Sequence, residues 1–345
     1  MFRADPVPAG AEPLEAQPSE AQPSEAQPSE AQPASRRKFL LGALGVAAGA
    51  GSVAVLRRFS DPPLPTRLNL ATGPKGAVYI VVGADLADAV HGFSPGTQVS
   101  LQLSGATVEN LRRLILGTAD LGFASLDATA VDSQVRTHSI QALGRVYDSC
   151  LHLVVPRESP IQSLRDIAGR RVCVGALASG TEFTSLRLMD SAAVQPSQLV
   201  RMGQALAMKA LDEGVVDAAF SLTGYPTPAI TVLARRRAIR LVPLGEYFGA
   251  LARSVPQSYA PAPIPAGVYH GVDATDTVQV PNVLLARPGL SDPAVALVMN
   301  ALYDERSRRY WKHAESKQIT LQMATVTGPV QLHRAARRWL EGRHL

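Results

Sequence analysis

Strand-like apolar runs alternate with helix-like patterns, a Gly-x-x-Asp-x-x-Phe unit occurs twice, and a Gly-containing strand-to-helix loop precedes each copy. Together they predict an α/β fold of two related lobes with a ligand cleft and a hinge between them. At 345 residues, 46% hydrophobic and 18% charged, the chain is long enough to bury two cores. The formal charge of +5 is spread along the chain and not gathered with aromatics, which argues against nucleic acid. Arg235–Arg–Arg237 and Arg306–Ser–Arg–Arg309 read as solvated helix faces and ends.

Residues 1–34 repeat Glu–Ala–Gln–Pro–Ser from Glu15, Glu20 and Glu25, with a variant from Glu30, and carry too little apolar surface to offset chain entropy, so disorder is expected. Residues 35–60 open with Ser35–Arg–Arg–Lys–Phe–Leu40 and continue as an apolar, Gly- and Ala-rich run to Leu56. That order is similar to a twin-arginine export signal. The run is at the lower limit for spanning a bilayer, so both a cleaved signal and a retained anchor fit.

From Arg67 onward, Leu68–Ala71 reads as a strand, Val78–Val90 as a helix, Val99–Leu103 as a strand, Val108–Leu116 as an amphipathic helix and Ala119–Ala124 as a strand. Such alternation implies a mainly parallel sheet covered on both faces. Leu151–Val155 is a strand, Ser163–Ile167 a short helix, and Arg171–Val174 the next strand. The two repeat units are Gly117–Thr–Ala–Asp–Leu–Gly–Phe123 and Gly214–Val–Val–Asp–Ala–Ala–Phe220, each at a helix-to-strand junction. Duplicated lobes explain them, as does the general habit of Gly to end helices. Val268–Leu285 is β-like, and Pro293–Lys312 and Val330–Trp339 are helical. The expected division is lobe 1 over residues 66–156 plus 266–345 and lobe 2 over residues 157–265.

Cys150 and Cys173 lie in separate apolar runs, which excludes a four-cysteine zinc site. Two buried thiols are expected, with pairing open only if their strands are neighbours. The seven histidines show no metal-ligand spacing, so neither metal nor cofactor is predicted. No activated nucleophile or acid–base motif is present, and no catalytic residue is assigned.

The most informative stretch is Gly175–Ala–Leu–Ala–Ser–Gly–Thr–Glu–Phe183, small residues between a strand and the helical pattern Thr184–Met189. Such a turn aims unpaired N–H groups along the positive end of a helix dipole. Thr181 and Glu182 follow Gly180 where a phosphate loop needs Lys and Ser or Thr, so a nucleoside triphosphate is not expected and a carboxylate or other small polar ligand is.

Several segments in shared order resemble the TAXI-type solute receptors of tripartite ATP-independent periplasmic (TRAP) transporters. They are Ala71–Thr–Gly–x–x–Gly–x–x–Tyr79, Ser104–Gly–Ala–Thr–Val–Glu–Asn–Leu111 with Gly117–x–x–Asp120, Leu151–Val155, Ser163–Val172, Val174–Glu182 and Ile264–Pro–Ala–Gly–Val–Tyr269. The resemblance implies a periplasmic-binding-protein-like fold and capture of a small anionic solute, an amino acid such as glutamate, a dicarboxylate or a 2-oxoacid, by a monomer that delivers it to a TRAP-type permease outside the cytoplasm. It implies a site of Thr72, Gly73, Gly76, Ala77 and Tyr79 from the first loop, Thr107 and Asn110 from the next helix, Ser125 and Asp127 past a strand end, Ser179, Gly180 and Thr181 from the second lobe, and Tyr225 at the rim. Ala106–Thr107 stands where members commonly carry Gly–Ser, Ile80 where they carry a second aromatic, and Lys75 adds a charge to the first loop. The alternatives are an enzyme on the same scaffold and a binding module that serves no transporter.

Overall fold

A computed structural model describes residues 62–343; the repetitive leader and the twin-arginine-like segment lie outside them. The chain first lays down β1 (Arg67–Ala71), α1 (Val78–Phe93), β2 (Gln98–Gln102), α2 (Thr107–Ile115) and β3 (Leu121–Ser125). The strands pair in parallel with β1 between β2 and β3. Helix α2 shows why the pattern folds this way: Leu111 and Leu114 are buried against the sheet, and Glu109 pairs with Arg113 one turn along its outer side.

Two short helices, α3 (Leu126–Val131) and α4 (Ser133–Thr137), lead into β4, a single strand of 16 residues over Gln141–Pro156. The pattern at Leu151–Val155 is therefore only the last third of a strand whose polar residues Arg145, Asp148 and Ser149 conceal its start. After a 3-10 turn at Leu164–Ile167 the first motif recurs: β5 (Arg171–Cys173), α5 (Gly180–Ser191), β6 (Gln198–Val200), α6 (Gln204–Asp212) and β7 (Ala218–Thr223). Here β5 lies between β6 and β7, again all parallel. Order and direction match the first unit strand for strand, so the two Gly-x-x-Asp-x-x-Phe segments mark a structural repeat. Helix α5 starts ahead of the Thr184–Met189 pattern because Ser179 caps it, accepting from the Glu182 N–H.

The remaining elements are α7 (Pro228–Arg236), β8 (Ile239–Leu241), α8 (Phe248–Ser254), β9 (Ala260–Ile264), β10 (Thr275–Ala286), α9 (Asp292–Tyr303) and α10 (Arg334–Glu341). Strands β4 and β10 are long, antiparallel to each other and central, joining the two parallel units into one ten-stranded sheet of order β2-β1-β3-β10-β4-β7-β5-β6, with β8 on β4 and β9 on β10. The sheet is thus mixed, not mainly parallel, because the connecting strands enter it themselves. Strand β9 shows Pro261 and Pro263 tolerated at an edge.

Leu70, Val82, Phe123 and Tyr147 share a core with Val295, Val298 and Leu302 from α9. Leu153, Val172, Leu188 and Phe220 share another with Val278 and Val280 from β10. The described residues form one compact unit. Cys150 faces Thr223 and Cys173 adjoins Ala219, four residues apart on β7 and on opposite sides of it. At ~3.3 Å per residue that is about 13 Å along the strand, well beyond the ~7 Å limit between Cα atoms for a disulfide. Both are buried thiols, and burial pushes Cys150 up to about 12.

Candidate functional site

In a parallel β–α unit each helix begins where its strand ends, so helix N-termini collect at the carboxyl edge of the sheet. Both units do this toward the same point. A cavity of about 80 Å³ lies there, and its wall holds the starts of α1 (Ala77, Val78, Tyr79), α2 (Ala106, Thr107), α3 (Ser125), α5 (Ser179, Gly180, Thr181) and α6 (Gly203, Gln204). No Lys, Arg, His, Asp or Glu side chain lines it among the described residues.

The first N–H groups of a helix have no intrahelical acceptor. Ala77, Ala106 and Gly203, as N-cap residues, have no side-chain oxygen to offer them. Of these, the Ile80 N–H turns back to the Ala77 carbonyl and the Val108 N–H is taken by the Ala178 carbonyl; the rest are left for whatever occupies the cavity, under the positive ends of helix dipoles. Ala106 holds φ 79°, ψ −141°, a region that suits glycine, and so stores strain at the wall.

Hydroxyls complete the wall and are held by a second layer of bonds. Thr107 Oγ1 accepts from the Ser125 N–H at 3.1 Å and lies 3.3 Å from Ser125 Oγ. Thr181 Oγ1 accepts from the Leu222 N–H at 3.1 Å. Tyr79 donates to Asn282 Oδ1 at 2.6 Å, and the Asn282 amide donates to Ser149 Oγ at 2.9 Å. Burial holds the Tyr79 phenol well above its ordinary value, so it remains a neutral donor. Gln204 donates to Ser221 Oγ.

The two units meet across the cavity. The Val108 N–H donates to the Ala178 carbonyl at 3.2 Å. A Cβ on Gly180 would come within 2.9 Å of Ser125 Oγ and 3.1 Å of Thr107 Oγ1, so only glycine permits this approach.

Seven residues expected from the sequence, Ala77, Tyr79, Thr107, Ser125, Ser179, Gly180 and Thr181, stand together on this wall. The other six stand elsewhere. Thr72 is buried and donates to the Gln102 carbonyl at 2.8 Å. Asn110 is fully engaged within the protein: its amide donates to the carbonyls of Thr72 and Phe123 at 2.6 and 2.8 Å, and its oxygen accepts from Ser104. It shapes the first loop from behind. Gly73 lies in that loop off the wall, and Gly76 faces a separate groove beside α6 and α7. Tyr225 packs against the core cluster that includes Ile264 and Tyr269. Asp127 is buried behind the wall, with Thr184 and Tyr259 donating to its Oδ2 at 2.6 and 3.0 Å. Lys75 is exposed, and Pro74 from the same loop lines the cavity instead.

Sequence reading missed Tyr147, Ser149, Gly203, Gln204, Ser221 and Asn282. Two had usable signals. Gly203–Gln204 opens the second helix of the second unit, as Ala106–Thr107 opens that of the first, so the repeat itself pointed there. Asn282 is a lone amide within the apolar run Val280–Leu285. Tyr147 and Ser149 fall in the part of β4 whose pattern hides the strand.

Solved structures share this architecture. A protein of Bordetella bronchiseptica RB50 superposes with TM-score 0.52 at 14% identity, covering 81% of this chain and 99% of its own. The periplasmic binding protein BugD gives TM-score 0.50 at 14% identity, covering 81% and 95%. XAC2383 from Xanthomonas citri, solved with ATP, gives the same TM-score, 0.50, at 14% identity and the same coverage of 81% and 95%. The fold is the periplasmic-binding-protein fold, an α/β architecture with a ligand cleft. A family model matches residues 70–342, and the chain belongs to the NMT1-like family.

Proposed function

We propose that the protein is an extracytoplasmic solute-binding protein that captures a small anionic solute in this cavity and delivers it to a membrane permease of TRAP type. The observation that carries the reading is the convergence of helix N-termini from both units on a cavity whose wall has no charged side chain. A carboxylate or similar group placed there exchanges water for N–H and hydroxyl donors, and a full positive charge on the wall is not required. That BugD is a periplasmic binding protein, and that XAC2383 was solved with an anionic ligand, agrees with this chemistry.

In this reading residues 66–156 plus 266–345 form one lobe and residues 157–265 the other, closing about the strands that join them. Export runs through the twin-arginine-type segment, cleaved or kept as an anchor, and the protein works as a monomer without cofactor or catalysis. The amino-acid and dicarboxylate classes follow from the resemblance to TAXI receptors.

The test is calorimetric titration of the refolded full chain with L-glutamate, succinate, 2-oxoglutarate and ethanesulfonate. Saturable binding of at least one without turnover is expected. Thr107→Ala and Thr181→Ala are each expected to weaken it about tenfold, the worth of a hydrogen bond to a charged group. Gly180→Ala is expected to abolish it, because the added methyl needs space that Ser125 and Thr107 occupy. Silence across the whole panel would overturn the reading.

A further inference from the structure

Behind the cavity wall, Asp127 ties together three segments that are far apart in the chain. It is the second residue of α3, whose N-cap Ser125 is on the wall, and its own exposure is 0%. Its Oδ2 accepts from Thr184 Oγ1 at 2.6 Å and from the Tyr259 hydroxyl at 3.0 Å, while Oδ1 accepts from the Ala128 N–H at 2.8 Å. Thr184 is one turn into α5, directly beyond the wall residues Gly180 and Thr181, and Tyr259 immediately precedes β9. Both donors are buried.

We infer that Asp127 is a positioning residue, an internal latch whose hydrogen bonds to Thr184 and Tyr259 hold the two walls of the cavity at binding distance, and that it does not touch the solute. The inference rests on the proposed solute-binding reading for its consequence, though not for its geometry. Hydrogen bonds in a dry environment are strengthened by the low local dielectric and are directional. Removing one donor leaves part of a buried carboxyl group unsatisfied, which favours any arrangement that lets water reach it. The direct bond between the walls, Val108 N–H to the Ala178 carbonyl, is a single neutral contact at 3.2 Å. At Asp127 two buried hydroxyls meet one carboxyl oxygen, at 2.6 and 3.0 Å. Affinity scales with the fraction of molecules in the closed arrangement, so loosening the latch weakens binding without altering any solute contact.

The test places spin labels on the full chain at Leu116→Cys and Leu206→Cys, side chains that are 64% and 63% exposed, one on each unit. The native Cys150 and Cys173 are buried and take no label. Distances between labels are read without solute, and solute release is then timed with the tightest binder among L-glutamate, succinate, 2-oxoglutarate and ethanesulfonate. Thr184→Val and Tyr259→Phe are expected each to add a population of wider separation and to speed release about tenfold. Thr184→Ser keeps the hydroxyl and is expected to match the parent. Unchanged separations in the Val and Phe variants, or a Ser variant as wide as the Val variant, would overturn the latch. A parent that binds none of the four compounds, yet widens when the hydroxyls are lost, would sink the solute-binding reading and leave the latch standing.

Discussion

The two β–α–β–α–β units share a framework and differ in how they finish it. In the first, Asp120 clasps β1: the Asn69 N–H donates to its carboxylate at 2.8 Å, and its own N–H donates to the Asn69 carbonyl at 2.9 Å. In the second, Asp217 does the same to Arg171, at 2.8 Å in both directions. Gly117 and Gly214, three residues earlier, hold φ 68° and 70°. The repeat is therefore one of joint chemistry, a left-handed helix end followed by an Asp clasp. What differs is the helix caps. Ala77 offers the first helix of its unit no side-chain oxygen, whereas Ser179 spends its hydroxyl on the Glu182 N–H in the second unit; the second helices, after Ala106 and Gly203, lack a side-chain cap in both. The duplicated joints build the scaffold, and the unduplicated caps decide which donors face the cavity.

The strongest test of equivalence is truncation of the phenylalanine in each unit. Phe123 and Phe220 are fully buried, in different cores. Each Phe→Ala change is expected to cost about 3–5 kcal/mol by urea unfolding. Phe123 also stacks on Tyr79 with centroids 5.2 Å apart, so its loss should exceed that of Phe220 by roughly 1 kcal/mol. Equal losses would show that the stack adds nothing.

Acid should separate the units next. His152, on the part of β4 paired with β7, is fully buried; its Nδ1 meets the Cys150 carbonyl at 2.9 Å and its Nε2 the Tyr269 hydroxyl at 3.0 Å. These partners suit a neutral ring that donates from Nδ1 and accepts at Nε2. Burial pushes its pKa down to about 4. An unfolded histidine takes a proton near pH ~6.5, so between there and about 4 the unfolded chain binds more protons, and stability falls as pH falls. The effect reaches up to about 3 kcal/mol. Hydrogen exchange should quicken in β7 before β3 over that window, and His152→Gln should flatten the slope. Equal quickening in both strands would contradict it.

How much of this was legible follows from where chemistry repeats. Gly117, Asp120 and Phe123 against Gly214, Asp217 and Phe220 could be found because the joint needs those residue types at that spacing. The helix starts were legible for the same reason, and they supplied most of the cavity wall. The central strands were not. Half of β4 carries polar residues that serve the site and its surroundings, such as Ser149, and these break the pattern by which a strand is recognised. Asn110 and Asp127 misled in the other direction: a polar residue at a helix start offers the same signal whether it faces a solute or, as here, satisfies carbonyls and hydroxyls behind the wall.

A smaller effect should distinguish the Asp clasps. Arg171 strengthens the second through an ion pair with Asp217 at 2.7 Å, and the hydrogen bond from Arg171 is the main reason that Asp217 titrates below the usual carboxylate range. The first takes its guanidinium from Arg287, which precedes α9, at 2.8 Å. Asp120→Asn and Asp217→Asn should each cost about 1–2 kcal/mol, reduced from the buried figure because both pairs are partly exposed. For Asp217 the contribution is present above pH ~4 and is lost as pH falls through the lowered folded value. An Asp217→Asn variant should therefore match its parent in acid and fall behind at neutral pH. A gap of equal size at pH 3 and pH 7 would mean that the clasp does not depend on charge.

The smallest effect bears most directly on what the caps do. Ala106 holds φ 79°, a conformation that costs an L-residue roughly 1–2 kcal/mol and costs glycine little. Its counterpart Gly203 sits at φ −64°, where any residue is comfortable. The glycine is thus at the cap that does not need it, and the alanine at the cap that does. Ala106→Gly should stabilise the protein by about 0.5–1 kcal/mol, after the loss on the unfolded side is counted, whereas Gly203→Ala should be neutral or slightly stabilising. If the strain at Ala106 instead serves to aim the Thr107 N–H at the solute, the Ala106→Gly variant should gain stability and lose affinity together. A gain in both would show that the first unit's cap carries strain without use.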